Sequence, residues 1–105
     1  MTPKSVETIE TLKARLTEVG FPITIILTII SIILSLIQIC QKRREYIGRG
    51  GIGTIQQLRL VRALRRENIP DPWQAVDKIM AALEASSDEE WNNLCVAAGE
   101  FGEEE

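Results

Sequence analysis

The sequence predicts an all-α protein with a single-pass transmembrane helix, an amphipathic helix before it and a small unit of three helices after it. Three observations support this fold class. An uncharged apolar run of helix length fills residues 21–40, the flanking segments repeat apolar residues every three or four positions, and Pro or Gly separates them. The predicted divisions are an arm at 1–20, the span at 21–40, a basic segment with a glycine-rich hinge at 41–53, and a helical domain with an acidic tail at 54–105.

The N-terminal arm is predicted to be an amphipathic helix. Thr2 suits an N-cap and Pro3 suits the first helical position. Four apolar residues follow at spacings of three, four and three, namely Ile9, Leu12, Leu16 and Val19. This stripe allows two interpretations, a short coiled coil between copies or an interfacial helix on the outer leaflet.

The apolar run from Phe21 to Cys40 is predicted to cross a bilayer. Thirteen of its twenty residues are Ile, Leu or Phe, and a helix of that length spans roughly 30 Å, the thickness of the hydrocarbon core. A cleaved signal peptide would begin with basic residues and end in small ones, whereas this run follows a neutral leader and ends in Gln-Lys-Arg-Arg. A soluble core helix would need cover on all sides, which the short helices elsewhere are not expected to provide.

Charge is segregated along the chain, and this sets the predicted orientation. The whole chain carries −3, but residues 41–66 hold eight Lys or Arg against one Glu, and residues 67–105 hold one Lys against eleven Asp or Glu. Four of the cations follow the span closely and are candidate contacts for lipid or another anionic partner: Lys42, Arg43, Arg44 and Arg49. The positive-inside rule therefore places the C-terminal part in the cytoplasm and the N-terminus outside.

Polar residues within the span form a stripe. They occur at spacings of four, three, four and three, which places them on one side of a helix: Thr24, Thr28, Ser31, Ser35 and Gln38. The stripe is a candidate packing seam between copies, because small residues and hydroxyls favour helix association in lipid. It is also a candidate pore lining. A third interpretation gives it no role, since Ser and Thr can bond back to their own helix.

A basic amphipathic helix is predicted at 54–68, after the glycine-rich hinge, with Thr54 as its N-cap. The sequence GRGGIG formally matches a dinucleotide-binding loop, but no strand precedes it, so a hinge is expected. The predicted apolar side of the helix holds Ile55, Leu58, Val61 and Leu64, and another side carries Arg59, Arg62, Arg65 and Arg66. Contact with anionic lipid of the inner leaflet is the favoured interpretation, and pairing with the acidic C-terminal block is an alternative that is compatible with it. Nucleic acid comes third, because no aromatic stacking platform accompanies the arginines.

Two acidic helices complete the predicted C-terminal unit. Asp71 and Pro72 suit the start of a helix at 72–85, and Ser87 with Glu90 forms a capping box for a helix at 88–98 that stops at Gly99. Large aromatic side chains favour burial, so Trp73 and Trp91 are expected in the core of this unit. The alternative is that both serve as anchors for a protein partner.

An enzymatic role is not expected, and neither is a cofactor. The chain has no His, which excludes His-based triads and His metal sites, and its two Cys residues cannot make a structural zinc site alone. The predicted function is that of a single-pass membrane protein that self-associates. It would serve as an anchor, scaffold or accessory subunit of a membrane assembly and bind a protein partner through its C-terminal helices.

Two alternatives remain. A polar-striped span followed by a basic helix and an acidic tail resembles the layout of small viral channel proteins and phage holins, a resemblance of architecture that no motif accompanies. It implies a small pore-forming, viroporin-like or holin-like protein. The other alternative is a viral membrane protein that links a membrane to a capsid or genome.

Overall fold

The computed structural model describes residues 2–42 and 54–104, and the side chains of 2–41 and 55–101. The described residues form helices and no strand, which confirms the all-α prediction. The helices are α1 (Pro3–Glu18), α2 (Ile23–Lys42), α3 (Thr54–Arg66), α4 (Pro72–Glu84) and α5 (Asp88–Glu104). The predicted hinge lies outside the described residues.

Three of these helices begin at side-chain caps that the sequence predicts. The Ser5 amide donates to Thr2 Oγ1 at 3.2 Å, and Pro3 follows as the first residue of α1. The Gln74 amide donates to Asp71 Oδ1 at 3.4 Å, and the Glu90 amide donates to Ser87 Oγ at 3.2 Å. Each cap satisfies a backbone donor that has no partner within its helix.

A glycine turn joins α1 to α2. Gly20 has φ +101°, a left-handed conformation that residues with a Cβ adopt at a cost. Its amide donates to the Thr17 carbonyl at 3.1 Å, and the Phe21 amide donates to the Leu16 carbonyl at 3.2 Å. These two bonds form a Schellman motif, which ends α1 sharply and lets α2 fold back as a helical hairpin.

Helix α2 forms the centre of the core. Its apolar face is covered by α1, α3 and α5, and eight of its side chains are buried: Ile26, Ile29, Ile30, Ile33, Leu34, Leu36, Ile37 and Cys40. Twenty helical residues extend about 30 Å, close to the longest dimension of the fold, 32 Å. Among the described helices, α2 alone is long and apolar enough to cross a membrane, with a mean hydropathy of 2.7 over Ile23–Gln41.

The C-terminal helices differ from the predicted separate unit. Helix α5 packs mainly against α2 and α1, while α3 packs against α2 and α4, and α4 also contacts α1. The physical reason is the Ile and Leu face of α2, the largest apolar surface of the chain, against which the shorter amphipathic helices bury their own apolar sides.

The apolar stripe of α1 is also turned inward. Leu12 and Leu16 are buried, and Ile9 and Val19 pack against the core. The stripe is therefore not available for a coiled coil between copies or for an outer leaflet while this fold persists. It stabilises the fold of its own chain instead.

Polar contacts tie both ends of α1 to α5, which runs antiparallel to it. The Thr2 amide donates to Glu100 Oε2 at 3.1 Å. At the other end Arg15 forms an ion pair with Glu90 and donates a hydrogen bond from Nη1 to Ser86 Oγ at 2.9 Å. A bilayer cannot separate α1 from α5 while these contacts exist, so the predicted arrangement, N-terminus outside and C-terminus cytoplasmic, is incompatible with this compact fold.

The predicted stop of the last helix at Gly99 is wrong. Helix α5 continues to Glu104, six residues beyond the predicted end at 98. A glycine inside a helix costs only about 1 kcal/mol relative to alanine. Phe101 prolongs the apolar side of α5 and packs against the core, which offsets that cost.

Candidate functional site

The polar stripe of α2 is the face that the other helices leave least covered. Thr24 and Ser31 are exposed, whereas Thr28, Ser35 and Gln38 are half-buried. The buried side chains of α2 lie on the opposite side of the helix. The stripe lies at the surface because the Ile and Leu face of α2 packs into the core, which leaves the hydroxyls toward water.

Helix α3 presents its arginines beside this stripe. Its buried side holds Leu60, Val61 and Leu64, so α3 packs through a face rotated from the predicted one. Ile55 and Leu58, expected on the apolar side, are exposed. They share the outward side with the arginines, of which Arg62, Arg65 and Arg66 are exposed and Arg59 is half-buried.

The hydroxyls of α2 and three of the arginines of α3 line one groove of about 660 Å³. Its polar lining consists of Thr28, Ser31, Ser35, Arg59, Arg62, Arg66 and Glu67. Its apolar lining consists of Ile32, Leu36, Ile39, Leu60, Ala63 and Phe101. Two residue sets that the sequence places in separate divisions therefore line a single groove, which we call the α2–α3 groove.

The electrostatics of the α2–α3 groove favour an anion. Among the side chains that the structure describes, three guanidinium groups and one carboxylate, that of Glu67, line the groove, so this part of the lining carries a net positive charge. Guanidinium groups stay protonated at any ordinary pH and bind carboxylate or phosphate oxygens with two parallel N–H donors. Because apolar side chains share the lining, the groove can hold an anionic group and an apolar one at the same time.

A second polar cluster lies where α1 meets the start of α5. The Arg15 guanidinium lowers the pKa of Glu90 through a hydrogen bond and its charge, with help from Ser87. The pKa of Glu100, at the other end of this interface, is lowered mainly by the backbone amide of Thr2. Burial raises the pKa of the Cys95 thiol, which disfavours its reactive thiolate. The polar groups hold α1 against α5, and the pocket beside Arg15 and Glu90 measures only about 10 Å³.

The two tryptophans occupy different environments. Trp91 is only 7% exposed and belongs to the core, as expected, so it is not available as a partner anchor. Trp73 is 48% exposed at the start of α4 and keeps its place as a candidate anchor. The difference follows from the packing of α4, which buries Ala75, Val76 and Ile79 and turns Trp73 outward.

Arg43, Arg44, Arg49 and the side chain of Lys42 lie outside the described residues. Sequence reasoning missed Phe101 and Glu67 as lining residues of the groove. Phe101 was detectable, because it continues the spacing of Leu94, Ala97 and Ala98 along one side of α5.

Within residues 2–42 and 54–104, no group of three or more His, Cys, Asp or Glu side chains is placed to hold a metal ion. No protein-family model matches the chain, and comparisons with curated proteins and with solved structures find no match.

Proposed function

We propose that this protein is a non-enzymatic, membrane-associated anchor, scaffold or accessory subunit that contacts anionic lipid through α3 and the adjacent face of α2. The observation that carries the proposal is the outward side of α3, where exposed Ile55 and Leu58 precede the arginines. Apolar residues next to cations on an exposed helix face are typical of a surface that lies in the headgroup region of a membrane.

Charge segregation supports the same proposal. Each Arg near an anionic surface contributes about 1 kcal/mol, and the attraction falls off within a Debye length. The chain as a whole is acidic, with a net charge of −3, so it would be repelled if its charges were evenly spread. Concentration of arginines on α3 gives the protein one side that an anionic leaflet attracts.

Self-association is the second part of the proposal. At the start of α2, Ile23 is 84% exposed and Leu27 is 62% exposed, with Thr24 between them. A second copy packed along this face would remove both side chains from water, and the small Thr24 and Ser31 would allow close approach of the helices. Exposed Trp73 is the surface we assign to a protein partner in the assembly.

A transmembrane arrangement requires the fold to open. For α2 to cross a bilayer with the N-terminus outside and the C-terminus cytoplasmic, α1 must leave α4 and α5, which breaks the Arg15–Glu90 pair. We propose the compact form as the one that meets the membrane surface. The open form is the competing arrangement, and the two differ in which side of the membrane α1 and α5 occupy.

Sidedness tests the proposal directly. Glu7→Cys in α1 and Asn92→Cys in α5 each add one thiol at an exposed position. Labelling with a membrane-impermeant maleimide in sealed vesicles, above the wild-type background from Cys40 and Cys95, should reach both positions from the same side. Labelling of the two positions from opposite sides of the membrane would overturn the compact form and establish the spanning form.

Lipid contact has its own measurement. Cosedimentation should be strong with vesicles of phosphatidylcholine and phosphatidylserine, weak with phosphatidylcholine alone, and reduced by salt. Equal binding to both vesicles would overturn the proposed role of the arginines. Ion flux through the same vesicles, lost in a Thr28→Leu, Ser31→Leu, Ser35→Leu variant, would establish the pore function in its place.

A further inference from the structure

We infer that the α2–α3 groove binds a single molecule of an anionic amphiphile, one acyl chain that carries a phosphate or carboxylate head. The inference deepens the proposed function and rests on it, because it makes one lipid molecule the ligand of the surface that faces the membrane. The inference requires one bound molecule per chain and a defined pocket. Contact with a bilayer surface requires neither.

The head group has a defined place in the groove. Arg62 and Arg66 are one helical turn apart on the exposed side of α3, so both guanidinium groups reach the same region. The hydroxyls of Ser31 and Ser35 line the facing wall on α2 and add hydrogen-bond donors. Glu67 repels an anion, but Arg62 and Arg66 outnumber it among the described side chains of the lining.

The acyl chain has a place as well. Ile32 and Ile39 on α2, Ala63 on α3 and Phe101 on α5 are the accessible apolar residues of the lining, and we call them the apolar wall. The volume of the whole α2–α3 groove, about 660 Å³, lies within the roughly 300–1,000 Å³ that small-molecule sites enclose. One chain fits this description, whereas the two chains of a phospholipid would compete for a single wall.

Chemistry selects this ligand over simpler ones. Free phosphate would satisfy the arginines and leave the apolar wall in contact with water. A neutral chain would cover the wall and leave the guanidinium groups without an anion. A zwitterionic head would bring its own cation next to them. Only a ligand with both parts complements both halves of the lining, so its affinity should exceed that of either part alone.

The experiment uses the full chain without vesicles and with oleoyl lysophosphatidate, below its micelle concentration, as the probe. Binding is followed by calorimetric titration, and stoichiometry is followed by native mass spectrometry. We expect one molecule per chain. Oleoyl lysophosphatidylcholine and inorganic phosphate should each bind at least about tenfold more weakly. The choline cation of the first opposes the guanidinium groups, and the second makes no apolar contact.

Arg62→Gln and Arg65→Gln provide a matched pair. Both arginines are exposed on α3, but only Arg62 lines the groove. Arg62→Gln should weaken lysophosphatidate binding about tenfold or more, and Arg65→Gln should change it less than about twofold. Vesicle binding should fall to a similar degree in both, because each variant removes one surface charge.

These outcomes separate the inference from the proposed function. Equal loss of lysophosphatidate binding in both variants, equal affinity for phosphate or the zwitterionic lipid, or no uptake of lysophosphatidate would each overturn the groove as a lipid site. Vesicle binding that persists in those cases would leave the membrane-surface proposal standing. Lysophosphatidate binding without vesicle binding would support the groove as a lipid site and overturn the membrane-surface proposal. The protein would then be a carrier of single amphiphiles.

Discussion

Arg15 connects α1 to the C-terminal helices, and its replacement by Met tests the compact fold itself. The variant loses the ion pair with Glu90, which is partly exposed and is expected to contribute about 0.2–1 kcal/mol. It also loses the hydrogen bond to Ser86 Oγ, a buried hydroxyl, which contributes about 1–2 kcal/mol. The free energy of unfolding should therefore fall by about 1–3 kcal/mol, roughly 4–8 °C in melting temperature for each kcal/mol.

Urea unfolding followed by the fluorescence of buried Trp91 measures this loss. Lys13→Met is the matched control, because Lys13 pairs with Glu10 on the exposed side of α1, and its removal should cost less than about 0.5 kcal/mol. Equal midpoints for wild type and Arg15→Met would refute the reasoning. They would mean that α1 is not held against α5 in solution, and the open, spanning form would then be favoured.

The Arg15–Glu90 pair also predicts a pH dependence. Arg15 lowers the pKa of Glu90 in the folded state, so the pair stabilises the fold above the ordinary glutamate pKa, about 4.3. Its contribution is lost as pH falls through the lowered folded-state pKa. The difference in stability between wild type and Arg15→Met should accordingly shrink in acid, and a difference that grows there would contradict the assignment.

Two further predictions concern the turn and the tryptophans. Gly20→Ala should destabilise the protein by about 1–2 kcal/mol, because φ is +101° at this residue. If the midpoint of urea unfolding is the same in the variant and the wild type, the Schellman turn does not form. Trp91→Ala should cost about 3–5 kcal/mol, whereas Trp73→Ala should cost less than about 1 kcal/mol, since only Trp91 is buried. Similar losses in thermal unfolding for both variants would contradict the packing of α4.

Local signals in the sequence were sufficient for the helices and their starts. Thr2, Asp71 and Ser87 each cap a helix through a side chain that the pattern identifies, because capping depends on neighbours within four residues. The partner of each helix was not predictable in this way. The stripe of α1 has the spacing of a coiled-coil seam, and its burial against its own chain depends on the Gly20 turn, which directs α1 back onto α2.

The candidate site was predictable in its parts and not in its assembly. The Thr and Ser stripe and the arginines of α3 were both identified from spacing, since helical periodicity places residues on a face. Their meeting depends on the rotation of α3 about its axis, which periodicity left ambiguous. Ile55 and Leu58 extend the apolar pattern, yet α3 buries Leu60, Val61 and Leu64 and so turns its arginines toward the stripe.

The same stripe explains how an apolar helix of membrane length can belong to a compact fold. If Leu occupied positions 24 and 31, the uncovered side of α2 would join Ile23 and Leu27 in one apolar surface. Thr24 and Ser31 interrupt that surface, which lowers the cost of exposing it to water. In lipid the same hydroxyls can bond back to their own helix, so they cost little there. The polar residues of α2 thus suit a helix that meets water along this face and, in the proposed function, lipid and a ligand as well.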